Sequence, residues 1–282
     1  MNTLTPSFSH SEPINSSEQH PGPTTKKFSL FGVEISQIDY EKAADLIMSA
    51  AHERRSMIVD HMPVHGLIEA ASDPILQRKI NRFDIVAPDG QPVRWALNHL
   101  HHTNLSDRVY GPELMLRLCR QAEEMEIGVY LYGSQPVVLD RLTAQLLQWF
   151  PGLRIVGSEA PPFRPLTLAE DQAAIARINE SGAGLIFLGL GCPKQEHFAF
   201  DHRDQIHGVQ LCVGAAFDFH AGTKIMAPPW MQRNGLEWLF RLTTEPTRLW
   251  KRYITTNSLF LTKLAIEIFL HLCQRQTEPK TS

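Results

Sequence analysis

The stretch GLIFLGLGCPKQEHFAF, residues 184–200, decides the fold. A continuous apolar run ends in two closely spaced glycines, and an amphipathic stretch follows. This is the pattern of a buried strand that turns directly into a helix. The same alternation repeats on both sides of it. Strand candidates are FSLFGVEIS (28–36), MIVDHM (57–62), DIVAP (84–88), GVYLYG (128–133), LRIVGS (153–158) and VQLCVG (209–214). Helical patterns lie between them at Tyr40–Arg54, Val64–Ile80, Pro112–Glu126, Pro136–Phe150 and Leu168–Ser181, with Asp39 and Thr167 placed as N-caps. Near-continuous apolar strands alternating with helices predict an α/β fold, a mostly parallel, Rossmann-like sheet with helices on both faces.

Ligands of such sheets bind outside the carboxyl ends of the strands. The informative residues are therefore Asp60–His65, Pro88–Gly90, Gly133–Ser134, Gly189–Glu196 and Gly214–Asp218. Gly133, Gly189 and Gly191 suit the close approach of backbone amides to a phosphate at a helix N-terminus. A dinucleotide fingerprint is not met. Lys194 stands at its third glycine, and the strand ending at Gly214 lacks the acidic residue that holds a ribose. This argues against a nicotinamide or flavin oxidoreductase and favours a phosphate or nucleotide-sugar site. Asp89, in VAPDGQP, is either a helix N-cap or a general base. Asp60 and Asp218 are further carboxylate candidates, and spacing alone does not choose among the three.

Composition narrows the class further. The 282 residues include 43% hydrophobic and 20% charged residues with a formal net charge of −3, which excludes a globally basic nucleic-acid binder. Cys119, Cys192, Cys212 and Cys273 are scattered without zinc or redox spacing, as reduced thiols in a cytoplasmic protein would be. His61 and His65 are separated by a proline, and His99, His101 and His102 fall in a polar loop, so no metal site is expected.

The two ends differ from the middle. Residues 1–27 are rich in Ser, Pro, Thr and Asn and read as a disordered arm without a secretory signal. Residues 224–252 are locally basic: Lys224, Arg233, Arg241, Arg248, Lys251 and Arg252 oppose only Glu237 and Glu245. The spacing of Arg241, Arg248 and Arg252 puts them on one face of a continuous helix, interleaved with Trp238, Trp250 and Tyr253. Such a face suits a diphosphate at a membrane surface. Residues 258–273, SLFLTKLAIEIFLHLC, form a greasy helix with a narrow polar stripe at Lys263, Glu267 and His271. By itself this run is short for a bilayer span. It reads either as a helix docked on protein or as an interfacial helix. The expected organisation is an arm (1–27), an α/β catalytic domain (28–223) and a basic, amphipathic helical appendage (224–282).

Several blocks together resemble one family. They are DIVAPDGQPVRWA, DRVYGPEL, LYGSQP, GLGCPKQE, VGAAFDFHAGT and APPWMQRNGLEWLFRLTTEPTRLWKRY. Over residues 30–253 the chain resembles the WecG/TagA/CpsF glycosyltransferases, glycosyltransferase family 26. The resemblance implies an inverting, metal-independent hexosyltransferase of bacterial surface and exopolysaccharide synthesis. It implies transfer from a UDP-sugar donor to a polyprenyl-diphosphate-linked saccharide, with no cofactor. It also implies a cytoplasmic protein attached peripherally to the inner face of the cytoplasmic membrane through the appendage; a homo-oligomer is left open, and no nucleic acid is involved. The family's Ala-Asp-Gly base segment maps onto Pro88-Asp89-Gly90, which makes Asp89 the lead catalytic residue. Its Pro-x-Gln-Glu element maps onto Pro193 to Glu196, placing Gln195 and Glu196 on the nucleotide side. Its Arg-Val-x-Gly-x-Asp element becomes Arg108, Val109, Gly111 and Glu113, and the appendage arginines become Arg241, Arg248 and Arg252.

The chain departs from the family at two places. Asp60 and Met62 stand where Thr-x-Asn is usual, and Met226-Ala227-Pro228 stands for Arg-Ala-Pro. These changes fall where donor and acceptor are expected to bind, and they make a non-catalytic, membrane-associated scaffold for polysaccharide assembly the alternative reading.

Overall fold

The computed structural model describes residues 25–277, with side chains to Cys273. The expected N-terminal arm lies outside the described residues except at its last three positions. There Thr25 is buried and donates to the Ser36 hydroxyl, and Lys27 already opens a strand.

Six strands form one parallel sheet. They are β3 (Met57–Met62), β4 (Ile85–Pro88), β5 (Val129–Gly133), β6 (Ile155–Glu159), β7 (Leu185–Gly189) and β8 (Val209–Cys212), in the order β4-β3-β8-β7-β5-β6. β7 and β8 are central and almost entirely buried, as their unbroken apolar runs require. β6, at the edge, is only partly buried. The candidate strand 28–36 is instead an antiparallel hairpin, β1 (Lys27–Leu30) and β2 (Val33–Ser36), separate from this sheet. Phe31 and Gly32 both take positive φ, and this two-residue turn reverses the chain.

Alternation along the strands feeds two cores. Met57, Val59, Leu185, Phe187, Val209 and Leu211 face one side. There α1 (Tyr40–His52), α5 (Gly111–Glu124), α6 (Pro136–Trp149) and α9 (Ala216–His220) cover them. Ile58, Met62, Val86, Ile186 and Leu188 face the other. Their cover comes from the hairpin, α2 (Val64–Ser72), α3 (Pro74–Ile80), α4 (Gln91–His101), α7 (Leu168–Glu180) and α8 (Lys194–Asp201). Asp39 caps α1, and Thr167 forms a capping box with Glu170 on α7. The single helix expected over Val64–Ile80 breaks at Asp73, which caps α3 ahead of Pro74. His99 and His101 close α4 rather than sitting in a loop, and His102 is its left-handed C-cap.

The chain continues into α10 (Pro229–Arg233), α11 (Glu237–Thr244) and α12 (Pro246–Thr277). The continuous helix expected to carry the three arginines is therefore broken. Glu245 leaves helical geometry (φ −134°, ψ 56°), and Pro246 starts a new helix. α12 is much longer than the greasy run 258–273. Over Pro246–Cys273 it has the length and composition of a helix able to cross a membrane, so shortness does not argue against a span. Its orientation is also unexpected. Thr256 and Phe260 are buried, and Glu267 accepts a hydrogen bond from the Phe31 amide (2.9 Å). His271 meets the His101 ring at 5.7 Å. The polar stripe therefore faces the protein, while Leu261, Ile266, Phe269, Leu270 and Leu272 point outward, each more than half exposed.

Candidate functional site

The carboxyl ends of β3, β4, β7 and β8 open into a cleft of about 1550 Å³, whose opposite wall is α11 and the first turns of α12. Asp89 follows β4 and lines this cleft. It does not cap α4; that position belongs to Gly90, which takes positive φ and offers no side chain. The carboxylate is instead approached by the Gly111 amide (3.4 Å) and by Arg108 Nη1 (3.7 Å). Burial pushes the Asp89 carboxyl up to about 7, with Arg108 opposing and Glu237 reinforcing the rise. A carboxylate that titrates near neutrality is matched to removing a proton from a hydroxyl.

Asp60 lies within β3, as the strand expected over 57–62 requires, paired to Cys212 of β8 and Val86 of β4. Its side chain is buried with an oxygen within 4.8 Å of one of Glu196, which enters from the first turn of α8, and Asp60 Oδ1 and Glu196 Oε2 have no hydrogen-bond partner among the described residues. Burial first, then the neighbouring Glu196 charge, holds Asp60 well above the usual carboxylate range. Burial likewise brings Glu196 to about 7. Gln195 Nε2 donates to Glu196 (3.0 Å), and Gln195 Oε1 accepts from the Gly191 amide (3.1 Å). The Gly191 amide, expected to point at a phosphate, is thus already engaged by a side chain. Gly133 and Gly189 serve packing: a Cβ on Gly133 would lie 2.6 Å from the Gly189 carbonyl carbon, and one on Gly189 would meet the Phe217 ring at 2.5 Å.

One oxygen each of Asp60 and Glu196 and the Cys212 sulfur lie within 4.8 Å of one another. This is the one group of metal-ligand type among the described residues. A cation would bind all three in deprotonated form, whereas burial by itself favours the protonated form of each.

Asp218, the third candidate, also lines the cleft, but it is tied to Lys224 (3.0 Å) and the Thr223 hydroxyl (3.2 Å). It is a loop anchor. Glu113, the variant position of the Arg-Val-x-Gly-x-Asp element, points to a separate groove, where it pairs with Arg117 (3.0 Å).

The far wall supplies the cations. Arg241, Arg248 and Arg252 all line the cleft despite the helix break between the first and the other two. Arg248 pairs with Glu245 (2.5 Å). Arg241 and Arg252 have no carboxylate partner among the described residues; the Arg241 guanidinium lies over the Phe219 ring. Both cations face His65, whose ring is held down to about 4 by burial and by their charge.

Sequence reasoning missed several residues. Glu237 was counted only as an opposing charge, yet it receives Arg108 (3.0 Å) and the Tyr110 hydroxyl (3.1 Å). Gln232 completes the hold on Arg108 (3.1 Å). His61, on the opposite face of β3 from Asp60, packs against Gly111, where an added Cβ would lie 3.2 Å from its ring. Glu237 and Gln232 stand inside the long block ending at Tyr253, so the signal for them was their membership of that block. His61 had been weighed only as a metal ligand with His65.

A model of the WecG/TagA/CpsF glycosyl transferase family matches residues 28–274. The match runs from the hairpin through the sheet edge and into α12, so it covers both walls of the cleft. With a sheet edge bearing a buried carboxylate on one side and arginines on the other, this chain belongs to the WecG/TagA/CpsF glycosyltransferase family and is a sugar-transferring enzyme.

Proposed function

We propose that the protein catalyses inverting transfer of a sugar from a UDP-sugar to a saccharide carried on a polyprenyl diphosphate, in bacterial exopolysaccharide synthesis. The observation that carries this reading is Asp89, partly buried at the sheet edge and shifted by that burial to about 7, facing a cleft whose other wall is cationic. Asp89 removes the proton from the acceptor hydroxyl as that oxygen attacks the donor's anomeric carbon. The bond from that carbon to the UDP oxygen breaks on the opposite face, which inverts the centre. Arg241 and Arg252, without carboxylate partners, neutralise diphosphate charge.

Two features support a lipid-linked acceptor. The cleft continues past the arginines to Phe260, Leu261, Leu264 and Ile268 of α12, an apolar extension suited to isoprene units. Beyond it, α12 exposes an apolar face, and Arg248, Lys251 and Arg252 stand at its start. We read this as peripheral attachment to the cytoplasmic leaflet, not a span. The Glu267–Phe31 hydrogen bond and the His271–His101 contact hold α12 on the domain, and a spanning helix would lose both.

The test is a panel of radiolabelled UDP-sugars offered with a polyprenyl-diphosphate-linked sugar. The expected result is a lipid-linked product of inverted anomeric configuration. UDP binding without transfer from any donor would support the scaffold alternative, which the Asp60 and Met226 departures motivate.

A further inference from the structure

Arg108 lies between two carboxylates. Its Nη1 is 3.0 Å from Glu237 Oε2 and 3.7 Å from Asp89 Oδ1, so only the first is a hydrogen bond. Its Nη2 donates to Gln232 Oε1 (3.1 Å), and its guanidinium lies 4.1 Å from the centre of the Tyr110 ring. Gln232 is itself fixed, donating to the Ala227 carbonyl (2.7 Å), and the second oxygen of Glu237 accepts from the Tyr110 hydroxyl (3.1 Å). Arg108 is 6% exposed, so water does not substitute for these partners. Glu237 and Gln232 both belong to the segment after the α/β domain, and they draw the guanidinium away from the sheet edge.

Among the described residues, Arg108 and Arg241 bring positive charge to Asp89, Glu237 brings negative charge, Gly111 an amide N–H and Asp60 a carboxyl that burial favours in its protonated form, with the Tyr40 and Tyr110 hydroxyls nearby. Of these, Arg108 has the strongest stabilising effect on the Asp89 carboxylate. A movement of roughly 0.8 Å would turn its 3.7 Å approach into a charge-assisted hydrogen bond of about 2.9 Å. A base held in that way accepts a proton less readily.

We propose that Glu237 is a positioning residue for the reaction: by holding Arg108 it keeps the cation off Asp89 and leaves the carboxylate free as the base. This rests on the reading of Asp89 as the base. It makes the α11 wall part of the proton-transfer apparatus as well as part of the substrate cleft.

The test follows Asp89 directly. The full chain is labelled with aspartate carrying ¹³C at Cγ, the Asp89 signal is assigned with Asp89→Asn, and its titration is followed by NMR without substrate. In the wild type Asp89 titrates near neutrality; in Glu237→Gln it titrates at least one pH unit lower. In Arg108→Gln it titrates higher than in the wild type. In the Glu237→Gln/Arg108→Gln double variant, the effect of removing Glu237 is less than half that seen alone, because the cation it positions is gone. An unmoved titration in Glu237→Gln overturns the proposal. So does an equal shift with and without Arg108, which would mean that Glu237 acts only through its own charge. Should Glu237→Gln lose its fold, Gln232→Leu removes the other acceptor of Arg108; a smaller shift in the same direction is then expected, and no shift overturns the proposal. Where transfer is measured, the acid limb of the pH–rate profile in Glu237→Gln moves down with the NMR titration, and the plateau rate falls about threefold to tenfold, as a weaker base requires. Absence of transfer in the wild type would count against Asp89 as a base in glycosyl transfer and leave the NMR outcome to stand or fall alone.

Discussion

The two walls of the cleft use ionisable side chains in opposite ways. On the sheet edge, Asp60, Asp89 and Glu196 are packed among strands and helix starts, and burial pushes all three toward the neutral form. On the appendage wall, Arg248 and Arg252 are exposed and Arg241 is only half-buried, and solvent keeps such cations charged at little cost. The residue types alone do not distinguish these roles. A carboxylate that titrates near neutrality can exchange a proton, whereas an arginine held at a cleft mouth can meet a diphosphate without exchanging anything.

The largest effect is expected at the sheet edge. Asp89→Asn keeps the fold and UDP binding but lowers turnover by about 10²–10⁴-fold, the usual contribution of a general base. A wild-type rate in Asp89→Asn with a collapsed rate in Asp60→Asn would transfer the base to Asp60. The pH dependence has a defined sign. Asp89 must be deprotonated to act, so kcat/KM rises about tenfold per pH unit below neutrality and levels off above about 7.

On the opposite wall, Ile266, Phe269 and Leu270 replaced together by serine should lower partition onto anionic liposomes by at least about tenfold while thermal stability holds, because these side chains are more than half exposed. This is a cleaner test than truncation after Tyr253, which would also strip Phe260 and Glu267 from the hairpin. Unchanged sedimentation with liposomes would mean that the apolar face meets protein. Arg252→Ala alone should weaken liposome binding about fivefold, for a loss of about 1 kcal/mol. Arg241→Ala should lower turnover even with a soluble short-chain acceptor; an effect seen only with membranes would confine Arg241 to docking.

Smaller still is the effect of the acid pair on stability. Glu196 binds its proton more tightly folded than unfolded, so its contribution favours the folded state at low pH and declines as pH rises from about 4.5 to about 7. Glu196→Gln, which keeps a proton-bearing group beside Asp60, should therefore gain stability relative to wild type as pH rises from 5 to 8. Melting curves at pH 5 and pH 8 measure this; a gain that is larger at pH 5 would show that the pair is not neutralised by a proton. The smallest expected change is none: EDTA should leave transfer intact, and loss on chelation with recovery on Mg²⁺ or Mn²⁺ would reveal a cation requirement.

Much of the scaffold was legible because it depends on short-range preferences. The apolar runs at 57–62 and 184–191 mark β3 and β7, and Asp39 and Thr167 cap the helices they were expected to cap. The hairpin hidden in FSLFGVEIS was less legible, since Phe31 takes a left-handed conformation that its side chain does not advertise. Asp60 was visible as a carboxylate near the right edge. Its partnership with Glu196, 136 residues on, was not, because strand order decides which ends meet.

By itself, then, the sequence determined the alternating strands and helices, their caps, the glycines at the sheet edge and the blocks that mark the family, all of which depend on backbone preference and residue order. Tertiary structure decided which face each side chain meets. It brought Glu196 to the face of β3 that carries Asp60, and it brought Glu237 to Arg108 across 129 positions. It also turned the polar stripe of α12 inward, because Glu267 satisfies the Phe31 amide there while the apolar residues are left outside. The physical reason is that proton affinity and amphipathic orientation depend on what is buried beside a group, and those neighbours are chosen by packing between elements far apart in the chain.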